Sequence, residues 1–439
     1  MRSEAGEALH SMDEAGVKRQ SAWQGIPPIV LRCLLLMVVA VAVCVATEAV
    51  CRYVLHLGDP VYRWPLRREN VRFPDLVNFY PRFKYLHTEA FFTWTGATPF
   101  MYPATATIPY ECFYAFAPHI VAAYLSFAFG SLTVAAALFT RALFRRGVRL
   151  SAAAALVLLG LLCCYPVWFA LGQANLEIVV WALIAGGIAF FLTGKGYGAA
   201  VCFGLTASLK IYPVLFLVLL LVRRQYRQAI AGVVAAAVFS AGALIFVGPT
   251  FAAASKGIQH GLDLFRQLYM LTVRNETGVD HSLFALFKRI FWRHAIDLHW
   301  ASGTLTLYLG LMALLTLGLL VGRVWRQPVL NQIVFCTVVC VLFPPTSFEY
   351  TLLHVLTVFG ALILLAVDTY RTGQRIPGLT AMLLCCAATL VFLPEVIHHG
   401  KQWDGQLKCL LLVALLVLTL RYPLQARPTA EPSGMVTRG

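Results

Sequence analysis

The chain of 439 residues is 59% hydrophobic and only 13% charged, with a mean hydropathy of +0.74. That much apolar surface excludes a water-soluble globular protein, because a single core cannot hide it. The apolar runs are long enough to cross about 30 Å of hydrocarbon as helices, and they lack the alternation of a barrel. The net charge of +15 comes from Lys and Arg clusters at the ends of these runs, which mark membrane orientation and not nucleic-acid binding. We therefore predict an all-α, polytopic integral membrane protein.

The first elements establish an orientation. Residues 1–28 form a polar leader with Lys18 and Arg19, predicted to be cytoplasmic. The apolar run 29–50 exceeds the roughly 7 to 15 residues of a signal-peptide core, so we interpret it as an uncleaved first span. A long external loop, 51–109, follows, and the second span, 108–140, returns to the basic cluster 141–149. The positive-inside rule places that cluster in the cytoplasm.

Spans three (150–171) and four (176–193) form a helical hairpin, whose turn through Gln173 and Asn175 is then external. One straight span over 197–222 would place Arg223 outside and violate the charge rule. Lys210 and Pro213 interrupt this run, so two short helices of about 20 Å each can rise from the cytoplasmic side and return to it. We predict this V-shaped pair.

The remaining chain continues the alternation. A span over 228–248 leads to a second large external loop, 249–302, in which phased apolar residues around Leu283 to Phe291 predict an interfacial helix. Five further spans follow at 303–322, 329–343, 351–367, 379–393 and 407–420. The prediction is one membrane domain, 29–420, with about ten crossings plus the V-shaped pair, and a cytoplasmic tail, 421–439.

Most of the twelve cysteines lie inside apolar runs and are interpreted as small hydrophobic residues. Cys51 and Cys112 flank the first external loop instead. They can pair if that compartment is oxidising, and free thiols are the alternative.

Several polar residues sort to the external side of these spans, where ionisable groups are costly and often functional. Asp75, in an amphipathic segment after the first span, can accept a proton from a hydroxyl, although it can also simply cap the helix that starts after Pro74. Lys210, at the apex of the V-shaped pair, needs an anionic partner such as a phosphate, unless its ammonium snorkels to water.

A late segment adds two further candidates. Pro344 and Pro345 end one span, Glu349 opens the next and His354 follows about one turn deeper. Glu349 can also act only on the positive end of the helix dipole. D-x-D, H-E-x-x-H and P-loop motifs are missing from the external side, so the sequence predicts neither a metal site nor a cofactor.

The run Gly-Leu-Thr-Ala-Ser-Leu-Lys-Ile-Tyr-Pro at 204–213 resembles the hallmark of glycosyltransferase family 87, which belongs to the GT-C membrane glycosyltransferases. Shorter matches occur in the expected order around residues 74–80, 100–103, 172–175 and 281–283. The late motif departs from the usual Ser-Trp-x-His pattern, because this chain has Ser-Phe-Glu-Tyr-Thr at 347–351. Whether His354 or Glu349 substitutes there is open.

The resemblance implies transfer of a sugar, typically mannose, from a polyprenyl-phosphate donor to a lipid or glycan acceptor at the external face of the bacterial inner membrane. It implies that Asp75 is the general base of an inverting reaction. The residues expected to bind the donor phosphate are Lys210, His281 and His354. Those expected to bind substrate are Tyr80, Tyr102, Gln173, Asn175, Tyr212 and Glu349. The rival interpretations are a transporter or flippase of lipid-linked sugars, and a non-catalytic subunit of an envelope-glycan assembly.

Overall fold

A computed structural model describes residues 23–54, 62–63, 73–95, 98–273, 275–292, 297–398, 401–402 and 404–425. This part of the chain is almost entirely helical, which confirms the all-α, polytopic prediction. Most of the predicted leader and tail lie outside the described residues. So does the side chain of Cys51, whereas Cys112 is an exposed free thiol.

The first part of the chain combines one long helix with several short ones, which lie in or directly after the predicted external loop. Helix α1 spans Pro28–Ala49 and continues into a π-helical turn, Val50–Val54. Short elements then follow, namely α2 (Pro74–Phe83), α3 (Ala90–Thr93), a 3-10 turn (Ala104–Ala106) and α4 (Thr107–Tyr114). Helix α5 spans Ile120–Arg145. The second span therefore begins at Ile120 and not near residue 108, because Pro118 lacks the N–H that a continuous helix needs.

The central helices carry the predicted hairpin and the V-shaped pair. Helix α6 (Leu150–Leu162) and helix α7 (Tyr165–Gln173) meet at a bend of 53°, so the third span is broken and not straight. Pro166 in the first turn of α7 explains the bend. The next elements are α8 (Glu177–Leu192), α9 (Gly196–Leu209), a 3-10 turn (Tyr212–Phe216), α10 (Leu217–Val222) and α11 (Tyr226–Val247).

The V-shaped pair is present as predicted, with Lys210 in extended backbone between its two arms. Helix α9 packs against α8 and α11. At Gly204 a Cβ atom would lie 2.3 Å from the carbonyl oxygen of Gly232, so only glycine permits this close approach of α9 to α11.

The second predicted external loop contains the predicted amphipathic helix. Its elements are α12 (Phe251–Phe265), a π-helical turn (Arg266–Met270), a 3-10 turn (Asn275–Gly278) and α13 (Leu283–Phe291). The Ser282 hydroxyl accepts a hydrogen bond from the N–H of Ala285 and caps α13.

The last part of the chain contains the most completely buried helix. It comprises α14 (Leu298–Gly322), a 3-10 turn (Val324–Arg326), α15 (Val329–Leu342), a 3-10 turn (Glu349–Leu352), α16 (Leu353–Arg371), α17 (Gly378–Phe392) and α18 (Asp404–Arg421). Every residue from Asn331 to Leu342 is buried, so α15 lies at the centre of the bundle. Three short antiparallel strands, β1 (Tyr62–Arg63), β2 (Glu395–His398) and β3 (Lys401–Gln402), pair in that order.

Each of the ten predicted spans coincides with a helix or with the bent pair. By length and composition, five of the described helices can cross a membrane, or six with the pair α6 and α7. Shorter apolar helices of 10 to 17 residues are α8, α9, Tyr212–Val222, α15 and α17. Helix α18, which corresponds to the last predicted span, has two charged residues, Asp404 and Lys408, near its start.

The bundle has two ends, which can be told apart by the residues at which the helices begin and end. At one end, Arg146 forms an ion pair with Asp368 at 2.9 Å, and Arg323 donates to the carbonyl oxygen of Leu420 at 2.9 Å. Helices α8 and α16 both begin at the other end, at Glu177 and Leu353. The predicted site residues collect at this second end.

Candidate active site

Asp75 is held by the backbone next to the α7–α8 turn. Phe73 precedes α2 in the left-handed conformation (φ 59°), and its N–H donates to the carbonyl oxygen of Gly172 at 3.0 Å. The Asp75 carboxylate does not cap α2. Its Oδ2 instead accepts hydrogen bonds from Asn175 Nδ2 at 2.7 Å and from the Tyr102 hydroxyl at 3.3 Å. Its Oδ1 accepts none from the residues that the structure describes.

Asn175 connects Asp75 to Lys210. Helix α7 ends at Ala174 in the left-handed conformation (φ 51°), and the next residue, Asn175, is 1% exposed. Its Oδ1 accepts from Lys210 Nζ at 3.3 Å and from the N–H of Glu177 at 3.0 Å. One amide group therefore donates to the carboxylate and accepts from the ammonium.

The Lys210 ammonium points inward and not to water. It forms an ion pair with Glu177, and their side chains are 12% and 0% exposed. The ammonium also lies 4.9 Å from the ring centre of Tyr350 and 5.9 Å from that of Tyr102, within cation–π range. Snorkelling is excluded, since Lys210 has an anionic partner inside the bundle.

Glu177 belongs to the same polar network, and the sequence analysis did not predict it. Its carboxylate accepts from Lys210 and from the Tyr212 hydroxyl, and it lies 2.5 Å from His354 Nε2. The Tyr212 hydroxyl is 3.2 Å from the same nitrogen. A carboxylate at the start of a predicted span was the available signal, because intramembrane acids are functional by default.

Burial changes the acidity of Asp75. Desolvation raises the pKa of its carboxyl above the usual value, while the hydrogen bond from Asn175, the charge of Lys210 and the hydrogen bond from Tyr102 oppose the rise. A raised pKa makes the carboxylate a stronger base.

The other predicted residues lie elsewhere. The ring of Tyr80 packs on that of Tyr114 at 5.1 Å, and Gln173 is half-buried on the α7–α8 turn. Within the described residues, neither joins the hydrogen bonds around Asn175.

His281 and Glu349 belong to a second buried cluster. His281 Nε2 lies 3.0 Å from the hydroxyls of both Ser347 and Thr351. Burial, with a smaller effect of Lys408, holds the pKa of His281 well below its usual value, so the imidazole is neutral. Glu349 forms an ion pair with Lys408 at 2.7 Å, and both side chains are 0% exposed.

The fold and the site define a polytopic helical membrane protein with a buried network of carboxylate, lysine and amide groups at one end. The sequence profile of glycosyltransferase family 87 matches residues 100–348, more than half of the chain, and the chain belongs to that family. The matched range includes Asn175, Glu177 and Lys210, whereas Asp75 precedes it and His354 follows it. A search among curated proteins finds no match. The protein is a membrane glycosyltransferase.

Proposed function

We propose that this glycosyltransferase moves a hexose from a polyprenyl-phosphate donor to a lipid or glycan acceptor, and that the hexose is mannose. The reaction takes place at the external face of the bacterial inner membrane. One observation carries the proposal: the Asn175 amide holds a carboxylate and an ammonium on its two sides, Asp75 at 2.7 Å and Lys210 at 3.3 Å. A base for a hydroxyl and a cation for a phosphate are the two groups that this transfer needs.

In the proposed reaction, Asp75 removes the proton of the acceptor hydroxyl through Oδ1. The hydroxyl oxygen forms a bond to the anomeric carbon from the face opposite the phosphate, which inverts that carbon. The bond from the anomeric carbon to the phosphate oxygen breaks, and its electron pair stays on the lipid phosphate. Lys210 has three N–H donors, and Glu177 and Asn175 take two of them. The third donates to the departing phosphate.

The remaining residues hold these two. Tyr102 and Asn175 orient Asp75, and Tyr212 and His354 hold Glu177. His281 receives no role at the donor phosphate in this proposal, because it is buried and neutral. Glu349 receives no role in substrate binding, because it is buried and paired with Lys408.

The test is sugar transfer by the Asp75→Asn variant, reconstituted in vesicles with polyprenyl-phosphate mannose. Loss of the base should lower turnover by about 10²- to 10⁴-fold. Asp263→Asn is the matched control, because Asp263 lies on α12 and, among the described residues, its carboxylate hydrogen-bonds only to Gln259. Transfer by Asp75→Asn near the rate of this control would remove Asp75 from the mechanism.

A further inference from the structure

Glu177 joins three separate parts of the fold through one carboxylate. Its partners are Lys210 after α9, Tyr212 in the following 3-10 turn and His354 on α16. Its side chain is 0% exposed, so this carboxylate cannot itself reach a substrate in bulk water. It can act on a bound substrate only through the groups that it touches, and Lys210 is the cation among them that the proposed function places at the phosphate.

The Lys210–Glu177 ion pair also lowers the positive charge that a phosphate meets. An unpaired buried ammonium would attract an anion strongly, whereas a lysine already paired with a carboxylate presents a nearly neutral group with one remaining N–H donor. The distinction matters because the two lipid phosphates differ in charge. A phosphodiester donor carries one negative charge, and a phosphate monoester carries about 1.5 to 2 near neutral pH.

We propose that Glu177 is a positioning residue that weakens the hold of Lys210 on the lipid-phosphate product, so that this product leaves after transfer. The inference rests on the proposed function, since it requires a polyprenyl-phosphate product. Without Glu177, Lys210 would bind the more highly charged product more tightly than the donor. Release of product would then limit turnover, as it does in many enzymes.

The first experiment uses the full-length protein with the Glu177→Gln substitution, which preserves the shape of the side chain and one accepting oxygen but removes the charge. The expected result is an inhibition constant for polyprenyl phosphate at least about tenfold lower than in wild type, because an opposing charge next to Lys210 is gone. The KM for the donor should also fall, and kcat should fall more than the single-turnover rate. An unchanged or higher inhibition constant in the folded variant overturns the inference.

Two matched variants separate charge from shape. Glu177→Asp keeps the charge and should keep the inhibition constant much closer to wild type than Glu177→Gln does, even where turnover drops. In a Lys210→Met background, Glu177→Gln should no longer tighten product binding, because the cation that it releases is missing. Equal tightening with and without Lys210 contradicts the proposed route through that residue.

A measurement on the wild-type enzyme tests the inference even if the Glu177 variants do not fold. Polyprenyl phosphate and its methyl phosphodiester are compared as inhibitors, and their inhibition constants should differ by less than about threefold if Glu177 offsets the charge of Lys210. A tenfold or greater preference for the monoester overturns the inference. If the wild-type enzyme uses no polyprenyl-phosphate sugar, the proposed function is wrong. This outcome is distinct from a failure of the inference about Glu177.

Discussion

Asn175 shows how one side chain sets the chemistry of two others. Its amide is buried, and it donates to Asp75 while accepting from Lys210. A hydrogen bond to the ionised form of a carboxyl group stabilises that form. Asn175 therefore favours the ionised form of Asp75 and opposes the larger effect of desolvation, which raises the pKa of this carboxyl.

The Asn175→Ala substitution should shift the pH dependence of transfer. Burial raises the pKa of Asp75 and Asn175 opposes this effect, so removing the amide raises the pKa further. A base acts only when deprotonated, and the acid limb of the kcat/KM profile should therefore move to higher pH. Gln173→Ala on the same turn is the control and should leave the limb in place. Coincident acid limbs for Asn175→Ala and wild type would contradict the role of Asn175.

The segment between α15 and α16 is the place where this chain departs from the family pattern. Its adjacent residues Glu349 and Tyr350 face different partners. Tyr350 packs over the Lys210 ammonium at 4.9 Å, whereas Glu349 binds Lys408 on α18. The segment thus connects α18 to the site through a buried ion pair.

This pair predicts a non-additive effect on stability. Lys408→Met removes the cation that the buried Glu349 carboxylate contacts at 2.7 Å, which should cost about 3–5 kcal/mol. Adding Glu349→Leu removes the carboxylate of the same pair, so the double variant should be more stable than Lys408→Met alone. The readout is the thermal midpoint of the detergent-solubilised protein, with the exposed Lys256→Met as control. Additive losses would show that the two residues do not depend on each other.

At the scale of the whole molecule, the candidate site and a basic residue lie at opposite ends of α8 and of α16. Helix α8 runs from Glu177 in the site toward Lys195, and α16 runs from the site to Arg371. Basic ends face the cytoplasm under the positive-inside rule, so the site is proposed to face outward.

Cysteine labelling in intact cells checks this orientation. In a variant that keeps Cys112 as its sole cysteine, a membrane-impermeant maleimide should react before permeabilisation, because Cys112 is exposed near the site end. A matched variant with Arg224→Cys as its sole cysteine should react only afterwards. The reverse pattern would place the active site in the cytoplasm.

The sequence by itself determined the membrane class, the positions of the spans and the V-shaped pair around Lys210. These features depend on local hydropathy, on prolines and on the side of each basic cluster, all of which can be read along one dimension. The same signals placed Asp75 and Lys210 at one end. They did not show that Pro166 bends the third span or that the second span starts at Ile120.

Only the tertiary structure decided which polar groups meet. Asp75 and Asn175 are 100 positions apart, and Glu177 and His354 are 177 apart. Such contacts depend on how helices pack in three dimensions, and hydropathy carries no information about the partner of a buried charge. Helix packing therefore decides that Glu177 pairs with Lys210 and Glu349 with Lys408, because each buried charge requires an opposite charge within reach.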